Sequence, residues 1–150
     1  MLLAMDNLAR AGYNVNAHGC RGWEEGLGVL RARRARPGLP HLVVIALGAD
    51  FTISRHDIWR ALRILGPGHV LGLVTPRELG GGSGSDALHC RQAAAHYKKR
   101  VVLLDWVKYS SGHGSWFQPD GLHLTYTGAR AFVRLFKKAL PFARPQPPAS

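Results

Sequence analysis

At 150 residues with 46% hydrophobic side chains, the chain is long enough for one domain to bury a core without disulfide staples, and too apolar to be wholly disordered. Its formal charge of +11, from 20 basic against nine acidic residues, would attract any phosphate-bearing partner. Only Arg31, Arg33, Arg34 and Arg36, and the pair Lys137 and Lys138, cluster locally; both groups fall on polar faces of predicted helices with no interleaved aromatics to stack bases, which argues for a solvated basic surface and against nucleic acid.

The opening, MLLAMDNLARAGY, reads as a helix with Asp6 and Arg10 in its first turns, and it lacks the basic start, long apolar stretch and cleavage site of a signal peptide. No apolar run reaches the ~18 residues of a membrane span, so the expected compartment of the chain as written is the cytoplasm; a longer form could be exported. "YNVNAH" at 13–18 is a weak strand pattern, and 22–36 a helix weakened by Gly26 and Gly28. The nearly continuous apolar runs "HLVVIALG" (41–48), "HVLGLVTP" (69–76) and "RVVLLDW" (100–106) suit parallel strands covered on both faces.

Between the first two of these, Ser54 with Asp57 forms a capping box, Ile58, Ala61, Leu62 and Leu65 share a face, and Gly66 stops the helix. The stretch 80–85, GGGSGS, has no following GK[ST] and reads as a loop rather than a phosphate cradle; 85–97 is the next helix. At the end, Ala129, Phe132, Val133, Phe136 and Leu140 form an apolar stripe opposite Arg130, Arg134, Lys137 and Lys138. The domain is thus expected to cover 1–140, with a Pro-rich disordered tail over 141–150.

Helix and strand alternate along the whole chain, which argues for an open α/β sandwich whose ligands bind beyond the carboxyl ends of the strands. Three loops gather there: "HGCRGW", "GADF", and the segment from Trp106 to His123. In the last, "DGLHLTYTG" sets Asp120 three residues before His123. Such a pair either closes a turn and caps a helix, or holds an imidazole in one tautomer so that it can take a proton from a nucleophile. Cys20 and Cys90 are too few for a disulfide framework and match no zinc motif; a single bridge between them stays open. No metal or cofactor is called for.

With these residues placed, the chain resembles the SGNH (GDSL-type) hydrolase family. "DGLHLTYTGARAFVRLF" is similar to the family's closing block, with its acid and base; "VVIALGAD" to the block that supplies an Asn donor to the oxyanion; "VNAHGCRGWEEGL" to the block in which a backbone N–H near a glycine adds another. The resemblance implies a three-layer α/β/α sandwich with a flavodoxin-like parallel sheet, and acyl transfer from carboxylic esters or acetylated sugars. It assigns Asp120 and His123 as catalytic, and Gly19, Cys20, Gly22 and Asp50 as oxyanion candidates.

Two departures stand out. The family's Ser in a G-D-S motif, at the end of its first strand, has no counterpart here, and Ser110, Ser111 and Ser115 read as loop polars. Asp50 also stands where the family has Asn, and a carboxylate repels an oxyanion that an amide would bind. The resemblance therefore implies a sheet lacking its first central strand, with 13–18 forming a fourth strand that either pairs directly with 41–48 or is poorly attached. It also implies a chain prone to self-association and an incomplete, inactive site. The alternative is a non-catalytic binding module with a basic surface for an acidic partner, nucleic acid included.

Overall fold

A computed structural model describes residues 2–36, 38–49, 52–78 and 84–144. The three apolar runs become β1 (Leu42–Ile45), β2 (Val70–Val74) and β3 (Val101–Leu104). They pair in parallel in the order β1-β2-β3, with Leu42 opposite Val70 and Leu71 opposite Val101.

Alternate strand residues feed two separate cores. Leu42, Val74 and Leu104 pack with Leu8 of α1 (Met5–Arg10) and Phe132 and Phe136 of α6 (Tyr126–Lys137). Leu71, Leu73 and Val101 pack with α2 (Trp23–Arg34), α3 (Arg55–Leu65) and α4 (Ser85–His96) on the other face. With both faces covered, neither set of strand positions can be polar, which is why the runs are continuous. The result is the expected three-layer sandwich. A four-residue α5 (Trp106–Tyr109) follows β3.

Local chemistry sets the helix ends. Ser54 accepts from the Asp57 N–H at 3.2 Å while Asp57 accepts from the Ser54 N–H at 3.0 Å, so the anticipated capping box is formed, and Gly66 stops α3 at φ 73°. The 3-10 turn Leu140–Ala143 carries regular backbone past Pro141, where the sequence suggests a disordered tail; 145–150 lie outside the described residues, as do 80–83 of the glycine-rich stretch. Among the described residues no helix is long and apolar enough to cross a membrane.

Among the described residues the expected fourth strand is not formed: the sheet has three strands, and 13–18 pairs with none of them. A strand is held by a backbone neighbour, and this segment has none. It is held by side chains instead: the Tyr13 hydroxyl donates to the Phe136 carbonyl at 2.7 Å, and its ring meets Phe136 edge-on at 5.7 Å. Between the segment and the open edge of β1 lies a cavity of about 540 Å³, lined by Tyr13, Val15, Leu30, Val44, Phe136 and Leu140 among others.

The bond from the Val70 N–H to the His41 carbonyl sets the phase of β1. Odd residues turn their N–H and C=O to β2, and Leu42 and Val44 turn theirs to the open side. In native-state hydrogen exchange the amides of Leu42 and Val44 are expected to exchange much faster than those of Val43 and Ile45. Equal protection at all four would mean that the edge is paired in solution, as self-association would require.

Candidate functional site

The carboxyl ends of β2 and β3 are tied together by Thr75 and Asp105. Thr75 Oγ1 donates to Asp105 Oδ1 at 3.1 Å and accepts from the Val107 N–H at 3.0 Å. Arg91 of α4 forks onto the same carboxylate at 2.8 and 3.0 Å, and the Lys108 N–H caps α5 on it. Burial pushes the Asp105 carboxyl up, but the bonds from Arg91, Lys108 and Thr75 outweigh burial and hold it below its ordinary value. The loop after β1 reaches the same edge. It turns at Gly48 (φ 106°), where a Cβ would press on Ile53 and Pro76. Ile53 is held at both ends: its N–H donates to Asp86 Oδ2 at 2.8 Å, and its carbonyl accepts from His89 Nδ1 at 2.7 Å.

From β3 the chain passes through α5 and a 3-10 turn (Gly114–Trp116) into an antiparallel bridge between Phe117 and Leu124. The bridge closes a loop in which the Gln118 N–H donates to the His123 carbonyl at 2.7 Å and Gly121 takes φ 69°. Asp120 Oδ1 accepts from the N–H groups of Leu122 and His123, both at 2.9 Å, and Oδ2 accepts from His123 Nδ1 at 2.6 Å. Because a carboxylate can only accept, Nδ1 carries a proton, and in the neutral imidazole Nε2 is then the nitrogen that presents a lone pair. Among the described residues Nε2 has no hydrogen bond.

The two readings of this motif are therefore compatible: Asp120 closes the turn with one oxygen and orients the imidazole with the other. The helix cap belongs to Thr125, whose Oγ1 accepts from the Gly128 N–H at 3.2 Å. The N–H of Leu122, followed by the imidazole and the N–H of His123, holds the Asp120 carboxyl down to about 2. The His123 side chain is 75% exposed, so its lone pair opens to whatever lies above the sheet edge.

The other anticipated residues are less closely gathered. Gly19, Cys20 and Gly22 form the loop ahead of α2, with Gly22 as its N-cap and Cys20 in the left-handed region at φ 55°. Among the described residues no hydrogen bond joins that loop to Asp120 or His123. Asp50 lies outside the described residues. The bridge left open between the cysteines is not made: Cys90 is buried in the α2–α4 core, Cys20 is exposed, and both are free. Ser110 is buried and its hydroxyl is engaged by Arg77, while Ser111 and Ser115 offer carbonyls to His113 and Thr125. Among the described residues no three His, Cys, Asp or Glu are grouped to hold a metal ion.

Sequence reasoning passed over Arg77, which bonds the Gly121 carbonyl within the Asp120–His123 turn. Its one signal was position, directly after the carboxyl end of a strand.

No family model matches the chain. The C-terminal catalytic domain of Streptococcus pneumoniae peptidoglycan O-acetyltransferase A, solved with a methylsulfonyl adduct, matches with a TM-score of 0.76 at 24% identity, over 95% of this chain and 88% of that one. The chain shares the fold of that domain. The SGNH resemblance carried by the sequence motifs stands on that fold. In sequence, 100 residues (65% of the chain) are 29% identical to the O-acetyltransferase OatA of Staphylococcus aureus NCTC 8325. A further 49% identity over 47 residues links it to a protein of S. aureus strain COL assigned as an O-acetyltransferase. The chain spans 16% and 8% of the lengths of these two relatives.

The folded chain binds the Asp120 proton less tightly than the unfolded one. The stability this contributes is complete above the ordinary aspartate range and is lost as pH falls through about 2. A carbon-13 titration of the Asp120 carboxyl is expected to show that low midpoint; a value near the ordinary ~3.9 would mean that its three donors are not engaged in solution. At the start of α6 a Cβ on Gly128 would collide with the Trp116 backbone carbonyl, which also accepts from the Thr125 N–H at 2.9 Å. Gly128→Ala is expected to cost about 1–3 kcal/mol in denaturant unfolding.

Proposed function

We propose that the chain carries the acid–base half of an SGNH-type O-acetyl-transfer or esterase site acting on acetylated sugars. The carrying observation is the 2.6 Å bond from His123 Nδ1 to Asp120 Oδ2, which leaves Nε2 free to act. In this reading His123 takes the proton of a hydroxyl nucleophile as it attacks the acyl carbon, then returns it to the departing alkoxide. Asp120 holds the imidazole and stabilises its cation, and backbone N–H groups of the 19–22 loop face the oxyanion. Sugar and acetyl substrates are supported by the relatives, which are O-acetyltransferases, one of them of peptidoglycan.

The proposal includes inactivity of the chain on its own. Among the described residues no serine hydroxyl is bonded to Nε2. The test is hydrolysis of p-nitrophenyl acetate, and acetyl transfer to a sugar oligomer, by the chain alone and by a form given a strand ending in Gly-Asp-Ser ahead of α1. The chain alone is expected to match buffer. The extended form should turn over, losing about 10²–10⁴ in rate on His123→Ala and gaining about 10²–10³ on Asp50→Asn. Full activity with Asp50 unchanged would remove the oxyanion argument; inactivity of the extended Asp50→Asn form would remove the ester-transfer reading.

A second reading, a binding module for an acidic partner, is favoured by the hollow of about 280 Å³ that Arg10, Arg130, Arg134 and Lys137 rim on α1 and α6. Salt-sensitive binding without turnover in the extended form would select it.

A further inference from the structure

The peptide unit joining Gly121 to Leu122 is held from both sides. Its N–H, on Leu122, donates to Asp120 Oδ1 at 2.9 Å, and its carbonyl, on Gly121, accepts from Arg77 Nε at 3.2 Å. Arg77 is itself fixed. Its Nη1 donates to the buried Ser110 Oγ at 3.0 Å, and its guanidinium lies 4.1 Å from the centroid of the Phe117 ring. Ser110 ends α5 and Phe117 is half of the bridge that closes the loop. The guanidinium therefore ties together the end of β2, the end of α5 and the turn that carries the candidate pair.

We propose that Arg77 is the positioning residue of the Asp120–His123 pair: by clamping the Gly121 carbonyl it orients the Leu122 N–H onto Asp120 and so fixes the carboxylate that holds His123. Two physical effects act together. A planar fork with nitrogens on two different acceptors sets the rotation of the Gly121–Leu122 peptide, which a single point charge would not do. A cation on a carbonyl also polarises its peptide, making the N–H at the other end a stronger donor. Gly121, at φ 69°, has no Cβ to restrict its backbone, so the orientation of the peptide that follows it is set by the bonds it makes. Arg77 is partly withdrawn from water, and burial lowers its pKa, in keeping with a cation engaged by the protein rather than by solvent.

This inference rests on the acid–base reading only for its catalytic consequence; the geometry is tested without turnover. Leu122 N–H is the foremost cause of the low Asp120 pKa of about 2, so the protonation of Asp120 reports the clamp. The experiment compares the carbon-13 carboxyl resonance of Asp120 at pH 3 in the parent chain, Arg77→Ala, Arg77→Lys and Ser110→Ala, with core amide spectra confirming the fold. The parent is expected to be mostly ionised. Arg77→Ala and Arg77→Lys should be half protonated or more, an increase of tenfold or more in proton affinity, and Ser110→Ala, which keeps the bond to Gly121, should fall between.

An unchanged resonance in both Arg77 variants would overturn the proposal. A parent-like Arg77→Lys beside a shifted Arg77→Ala would overturn it too, in favour of a through-space effect of charge. Should Arg77→Ala fail to fold, Arg77→Lys and Ser110→Ala decide: both parent-like would refute the clamp.

Discussion

Each of the three strands has both faces covered, and most of the architecture follows from that constraint. Strands of four or five residues expose too little backbone to be stable as an isolated sheet. They persist because odd and even positions are buried in different cores, one under α1 and α6 and one under α2, α3 and α4. The polar groups of the chain are thereby driven to the ends of the strands, where the apolar demand stops. At the carboxyl ends stand Thr75, Arg77 and Asp105; α5 is bonded to Thr75 and Asp105, and the loop from α5 to α6 is bonded to Arg77.

Much of this was legible in the sequence because it rests on short-range chemistry. Continuous apolar runs gave the strands, Ser54 with Asp57 gave the start of α3, and a spacing of three made the Asp120–His123 contact available, since a turn of that length can bring the two side chains together. What was not legible depends on neighbours remote in sequence. Residues 13–18 have extended character, but whether they join a sheet depends on a strand to pair with, and β1 does not approach them. Whether Cys20 meets Cys90 depends on which side of α4 faces the core. The importance of Arg77 depends on a carbonyl 44 positions away, which no local pattern announces.

Part of the positive charge is tied down by directional bonds. Arg91 forks onto Asp105 and Arg60 onto Glu24. Arg100 spreads over the carbonyls of Leu62, Gly66 and His69 at the opposite end of the sheet. The exposed pairs contribute little to stability. Arg100 and Arg91 matter more for geometry, since each stitches a strand end to a helix with directional donors. Arg10, Arg130, Arg134 and Lys137 rim the hollow between α1 and α6, so part of the surplus positive charge lies on that side.

The contrast between the two cysteines has a practical side. Cys20 sits on an exposed loop beside α2, whereas Cys90 is wholly buried and its thiol is pushed up to about 12, mainly by burial. An alkylating reagent under native conditions therefore has one address, and a dye or spin label placed there would report on the loop ahead of α2 without any need to remove the second thiol. Cys90 becomes reactive only when the α2–α4 layer opens. The pace at which it is consumed would clock the loosening of that layer separately from the side that carries α1 and α6, so a single chain has a built-in stopwatch for one half of its core.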